Sequence, residues 1–296
     1  MKTEEQNMKK FLTLLLTLAL MVALAACGGS TEANQPASPE ASQTGTAETN
    51  QPESTGAGQS QAESDLTYVK GKGKLVIGYT EYAPMNYTDE NGNFTGFDTE
   101  LAILVCEKLG VEPEFVKIDW NTKEVELNAK SIDCIWNGLT ITPERRETME
   151  ITKPYVKNAQ VVLMKKGASY NGTASLIGKT VVAEQGSAGE ETILNDDNLK
   201  QANYVPKSLQ TECLVELKAG TADAAVLDLT LAKTMTGKGT NFDDIEIVDH
   251  LAVEDYGVAF RKGSDICAEV NKIFDGFFAD GTMAKLADKY GLELAE

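Results

Sequence analysis

Two charged residues stand where local helix chemistry gives them little reason to be. In NGLTITPERRE (137–147), Thr142 reads as an N-cap, Pro143 as the first helical residue and Glu144 as an acid near the positive end of a helix. Arg145 and Arg146 then put positive charge into that first turn, where a cation costs about 0.3 to 1 kcal/mol. The planar fork of Arg145 suits a carboxylate, with the Thr140 hydroxyl and helix-terminal amides as neighbouring donors. Asp228, which follows the apolar run AAVL, would supply the negative group for an ammonium. An arginine facing an aspartate across a cleft is a site for a zwitterion, that is, for a free α-amino acid. Tyr82, Trp120 and Trp136 would form its apolar walls. Each residue also has a plainer reading. Glu144, Glu147 and Glu150 can neutralise the arginines on a solvated face, Asp228 can cap the next helix, and the aromatics can be core.

Such a clamp requires elements that bring distant segments together. In the first half, strands are expected at 75–79, 113–118 and 133–137, with helices at 98–109, 122–130 and 143–149. Asp98 is the expected N-cap of the first of these helices, and TDENGNFTG reads as a hairpin turn. Its Asp89, Asn91 and Asn93 echo a calcium loop, but Phe94 stands where that loop needs glycine, so no metal is expected. In the second half, strands are expected at 179–183, 202–205 and 224–227, and helices at 189–195, 208–219 and 229–236. A further strand in YGVAFRKG (256–263) and helices at 265–278 and 283–290 complete the pattern.

The halves repeat each other. VELNAKSID (125–133) and VELKAGTAD (215–223) agree at five of nine positions, and each runs into an apolar strand. GKLVIGYTEYA and GKTVVAEQGSA form a second pair in the same order. Two α/β units of similar construction are expected, with ligands beyond the C-terminal ends of their strands. That places Tyr79 to Met85, Asn137 to Arg146, Gln185 to Gly189 and Asp228 around one cleft.

The chain has 296 residues, 42% hydrophobic and 24% charged, with a formal charge of −18. Such acidity argues against nucleic acid and anionic membrane surfaces as partners. Lys9 and Lys10, the uncharged run from Phe11 to Ala26, and Cys27 read as an export signal, better begun at Met8 than at Met1. From Gly28 to about Asp65 there is no lysine, arginine or aromatic residue, the composition of a tether. Cys106, Cys134, Cys213 and Cys267 are scattered without metal-ligand spacing. They are read as free buried thiols, two disulfides being the alternative.

The motifs GFDTELAILVCEKLG, SIDCIWNGLTITPERRE, KPY, GKTVVAEQGSAGE, ADAAVLD and YGVAFRKGS, in that order, resemble the extracellular solute-binding proteins of family 3. These are the polar amino-acid receptors of ABC importers. The resemblance runs from about Lys74 to Gly291 and implies a two-lobed type II periplasmic-binding-protein-like α/β fold, each lobe a mixed sheet flanked by helices. Two crossover strands, near 156–162 and 250–258, would join the lobes. It implies lobe 1 at 66–158 plus 252–296 and lobe 2 at 159–251, behind a signal peptide at 1–26 and a tether at 27–65. LAAC followed by GGS resembles a lipobox, with Cys27 lipidated and the protein anchored on the extracytoplasmic face of the cell membrane.

Carried over by position, the family implies that Arg145 grips the α-carboxylate with Thr140 and the backbone of Ser187 and Ala188. Asp228 and the Gly138 carbonyl would hold the α-amino group, with Tyr82 stacked on the ligand. Ala188 stands where many members have threonine, and Glu81 near the first loop is a further candidate. The implied partners are a free L-amino acid and an ABC permease with its ATPase subunits, with the protein a monomer and no cofactor or metal. A dehydratase-like enzyme on the same fold is the rival reading. Against it stand a single histidine, His250, and no G-x-S-x-G or H-E-x-x-H motif, although Glu184 could act as an acid. A ligand-sensing ectodomain would need a further span or a signalling domain, and neither is expected.

Overall fold

The computed structural model describes residues 64–295; the signal run, Cys27 and nearly all of the tether lie outside the described residues. Ser64 caps helix α1 (Asp65–Lys72) by accepting from Thr67 N at 3.0 Å. Asp65 at the start of this helix pairs with Arg261 at 2.9 Å.

Strand β1 (Lys74–Tyr79) is followed by the short hairpin β2 (Tyr87–Thr88) and β3 (Phe94–Thr95), by α2 (Phe97–Leu109) and by β4 (Glu112–Lys117). A single 3-10 turn then leads into α3 (Lys123–Asn128), β5 (Cys134–Thr140), α4 (Pro143–Thr148) and β6 (Met149–Ile151). Next come β7 (Val156–Lys165), β8 (Thr180–Glu184), α5 (Ala188–Asn195), β9 (Asn203–Lys207), α6 (Gln210–Ala219) and β10 (Ala224–Asp228). The chain continues with α7 (Leu229–Met235), β11 (Ile245–Arg261), α8 (Ile266–Ala279) and α9 (Thr282–Tyr290).

The strands run in the order β4-β1-β5-β11-β7-β10-β8-β9, with β6 also paired to β11. β1 is parallel to β4 and β5, and β8 is parallel to β9 and β10, so the two outer groups share one plan. The sequence repeat accounts for this likeness. Its closing aspartate does the same task in each copy: Asp133 accepts from Val76 N at 2.8 Å and Asp223 from Thr180 N at 2.8 Å. Each carboxylate thereby ties the turn after a helix to the parallel neighbour strand.

Alternation along the strands feeds both faces of the sheet. Leu75 and Ile77 of β1, Cys134 and Trp136 of β5, and Ala225 and Leu227 of β10 enter the largest core cluster. Val76 and Ile135 enter a second cluster, and Val226 a third, on the opposite faces. Cys106, Cys134, Cys213 and Cys267 are free and buried.

Between the two parallel groups lies an antiparallel ladder of β7 and β11, from Val156 opposite Tyr256 to Lys165 opposite Ile245. The strand expected at 256–263 is therefore the end of a 17-residue strand. Its first half is hidden in the sequence because register shifts between Ile247 and Asp249 and between His250 and Ala252 interrupt the alternation.

Candidate functional site

The C-terminal ends of β5, β8 and β10 and the helices that follow them enclose a narrow cavity of about 10 Å³, room for about one water molecule. Tyr82, Trp120, Gly138, Thr140, Arg145, Ser187, Ala188 and Asp228 all line it, as do Asn137, Glu184 and Gln210. Thr140 and Ala188 also line a wider outer cavity of about 590 Å³.

Arg145 reaches this place by the helix start read from the sequence. Thr142 Oγ1 accepts from Arg145 N at 3.2 Å, and the side chain then turns back over the end of β5. One guanidinium nitrogen donates to Thr140 O at 2.9 Å and the other to Glu191 Oε1 of α5 at 2.6 Å, leaving the residue 6% exposed. These acceptors offset the unfavourable dipole and hold the fork in one orientation. Arg146 does something separate: it donates to the carbonyls of Ile151 at 2.9 Å and Thr152 at 3.2 Å, fastening β6 to α4.

The start of α5 completes a cationic wall. Ser187 is its N-cap, accepting from Glu190 N at 3.2 Å, while Glu190 reaches back to Gly186 N at 2.7 Å. This reciprocal capping directs the positive end of the helix at the cavity, next to Arg145. Gly189 permits the approach, since a Cβ there would meet Val226 O of β10 at 2.6 Å.

Asp228 stands at the N-cap position of α7, yet its side chain makes no capping bond. Instead it is bedded on amides: Oδ1 accepts from Asn158 Nδ2 at 2.8 Å and Gln160 Nε2 at 2.6 Å, and Oδ2 accepts from Gln210 Nε2. The same two amide groups of β7 donate to Glu254 Oε1 at 2.6 Å and 2.9 Å, and Thr140 Oγ1 donates to it at 3.0 Å. Two carboxylates thus share one set of donors. Burial raises both above the usual carboxylate range, and the neighbouring Asp228 helps to push Glu254 up to about 8.

One support for Gly138 escaped the sequence. Asp98 does not cap α2; the N-cap is Gly96, and Asp98 is fully buried, accepting from Gly138 N at 2.7 Å and from the Tyr155 hydroxyl at 2.8 Å. Burial pushes its carboxyl up to about 7, against the pull of those bonds. Gly138 itself has φ of 59°, and a Cβ there would lie 2.8 Å from the Tyr82 ring. Tyr82, 3% exposed, meets the hydroxyl of Tyr256 at 2.5 Å and that of Thr230 with its own. Lys123 sits with its ammonium 4.9 Å from the centre of the Trp120 ring and donates to the carbonyls of Trp120 and Gly186. Burial, aided by Arg145, lowers its ammonium to about 8.

Two sequence candidates are not brought to the cavity. Trp136 alternates onto the helix-covered face of β5 and packs against Phe274 in the core, with centroids 5.9 Å apart. Glu81 is held at the edge by Lys117 at 3.0 Å and by Thr88 N at 2.8 Å. The amides of Asn158 and Gln160 had left a signal, two polar side chains at period 2 inside an apolar strand. Gln210 and Glu254 had left none.

Known proteins match along nearly the whole described region. The sequence profile of the bacterial extracellular solute-binding proteins, family 3, matches residues 75–293. The arginine-binding extracellular protein ArtP of Bacillus subtilis (strain 168) is 27% identical over 96% of this chain and 98% of its own. The L-cystine-binding protein TcyJ of Escherichia coli (strain K12) is 29% identical over 77% of this chain and 86% of its own. The crystal structure of Tv2483 bound to L-arginine superposes with a TM-score of 0.72 at 28% identity, covering 78% of this chain and 96% of that one. The fold is that of the type II periplasmic amino-acid-binding proteins, two lobes joined by two hinge strands, and the named relatives are binding proteins and not enzymes. With the profile matched over its two parallel groups and the ladder between them, the chain belongs to the bacterial extracellular solute-binding proteins, family 3.

Proposed function

We propose that this protein is the lipid-anchored substrate-binding subunit of an ABC importer and captures a free amino acid between its lobes. The observation that carries the reading is the convergence of Arg145 and Asp228, opposite in charge and both 6% exposed, on one cavity. Arg145, with Thr140 and the first amides of α5 at Ser187 and Ala188, takes the α-carboxylate. Asp228 and the Gly138 carbonyl take the α-ammonium, and Tyr82 and Trp120 cover the ligand. The names of the relatives, arginine and cystine among them, support an amino acid and leave its side chain open.

A cavity of about 10 Å³ admits no amino acid until the lobes part. Contacts across the cleft must then break, among them Arg145 to Glu191, Lys123 to the Gly186 carbonyl, and both Tyr82 and Tyr256 to Thr230. We take residues 66–158 plus 252–296 as one lobe and 159–251 as the other, with β7 and β11 as the hinge. Cys27 carries the lipid, the acidic lobes dock on the permease, and the protein works as a monomer outside the cytoplasm.

The test is a thermal-shift screen with the free amino acids, since a ligand bound only by the folded form raises the melting temperature. At least one should raise it, and the same amino acid should leave Arg145→Ala unmoved. A screen in which none stabilises the protein overturns the reading. For the anchor, Cys27→Ser should move the protein from the membrane fraction to the medium or periplasm, and unchanged fractionation argues against lipidation.

A further inference from the structure

Three charged side chains line the cavity: Arg145, Asp228 and Glu184. The α-groups of an amino acid, on the reading above, use the first two, and Glu184 is left over. It is the last residue of β8, 3% exposed, and it differs from the other buried carboxylates of the site. Asp98, Asp228 and Glu254 each accept two or more hydrogen bonds. Glu184 accepts none with its side chain from any described residue; its surroundings act on it only through burial and charge.

The cation whose charge acts on it does not satisfy it. Lys123 places its ammonium on the carbonyl oxygens of Trp120 at 3.1 Å and Gly186 at 2.8 Å, and makes no ion pair with Glu184. Burial, the largest cause, and the charge of Asp228 push the Glu184 carboxyl well above the usual range, with Lys123 opposing them. A buried polar group without a partner is costly, and buried carboxylates in folded proteins are paired or hydrogen-bonded.

We infer that Glu184 is the counter-charge for a cationic ligand side chain, so that the protein selects amino acids ending in a guanidinium or an ammonium. The inference rests on the assignment of Arg145 and Asp228 to the α-groups. The chemistry is a charge-assisted hydrogen bond in a site closed to water, where a neutral isostere leaves the carboxylate unmatched.

The test compares L-arginine with L-citrulline, which replaces the guanidinium by a neutral urea of the same shape, by calorimetry on the whole protein. Arginine should bind at least about 10-fold more tightly. Glu184→Gln should weaken arginine by about 10- to 100-fold while leaving citrulline within a few-fold, which removes the preference. Citrulline bound as tightly as arginine by the unaltered protein overturns the inference, and that comparison needs no variant to fold. So does a folded Glu184→Gln that keeps arginine affinity. If neutral amino acids bind through Arg145 and cationic ones do not, the inference falls and the clamp stands. If Arg145→Ala binds arginine normally, the clamp itself falls.

Discussion

At the scale of single residues, the proposed function gives the adjacent arginines of α4 different tasks. Arg145 points into the cavity, whereas Arg146 is exposed and spends its guanidinium on the carbonyls of Ile151 and Thr152. Arg145→Ala should lower ligand affinity by about 100-fold or more, the scale of losing one partner of a buried ion pair. Arg146→Ala should leave calorimetric affinity unchanged and cost about 1 kcal/mol of stability in urea unfolding, the worth of hydrogen bonds at an exposed site. Equal effects of the two substitutions on binding would mean that the clamp has been given the wrong arginine. Arg145 and Asp228 were legible because each breaks a local rule, a cation in a first helical turn and an acid that ends an apolar strand. Asn158 and Gln160 leave only the weaker signal of polar side chains at period 2 in an apolar strand, Gln210 leaves none, and Glu254 lies in a strand whose alternation is interrupted. Their roles arise only when the sheet brings them beside Asp228.

At the scale of elements, the inner parallel strands β1, β5, β8 and β10 were readable because each carries a short apolar run between turn signals. The ladder of β7 and β11 was not readable from periodicity, since the polar groups of the site and two register shifts interrupt it. What the elements do is aim backbone groups. α5 is brought against β10 by Gly189, where an added Cβ would meet the carbonyl oxygen of Val226 at 2.6 Å. Gly189→Ala should therefore push the helix start away from the cavity. It should cost about 1 to 3 kcal/mol of stability and weaken binding without removing any side chain that touches the ligand. Calorimetry and urea unfolding on that variant check both effects, and native values for the two would show that the helix start tolerates the shift.

At the scale of the molecule, buried carboxylates couple folding to pH. Burial raises Asp98 to about 7 and Glu254 to about 8 in the folded state. The folded form therefore binds these protons more tightly than the unfolded chain does. Their contribution is complete below the ordinary carboxylate range near about 4 and is lost as pH rises through about 7 and 8. The ligand-free protein should melt several degrees higher at pH 5 than at pH 8, where about 1 kcal/mol corresponds to roughly 2 to 4 °C for a body of this size. Asp98→Asn should flatten that dependence, and a melting temperature that climbs steadily from pH 5 to pH 8 would contradict it. Lys123, lowered to about 8, acts in the opposite sense only at higher pH.

Arg145 and Asp228 are proposed to hold opposite ends of the ligand. Calorimetry should compare the amino acid that stabilises the protein most with its decarboxylated amine, on the unaltered protein and on Arg145→Ala. If Arg145 grips the α-carboxylate, removing that group costs the unaltered protein about 100-fold in affinity and costs Arg145→Ala close to nothing. If the amine is penalised equally by both proteins, the carboxylate is held elsewhere and the clamp of Arg145 and Asp228 is wrong.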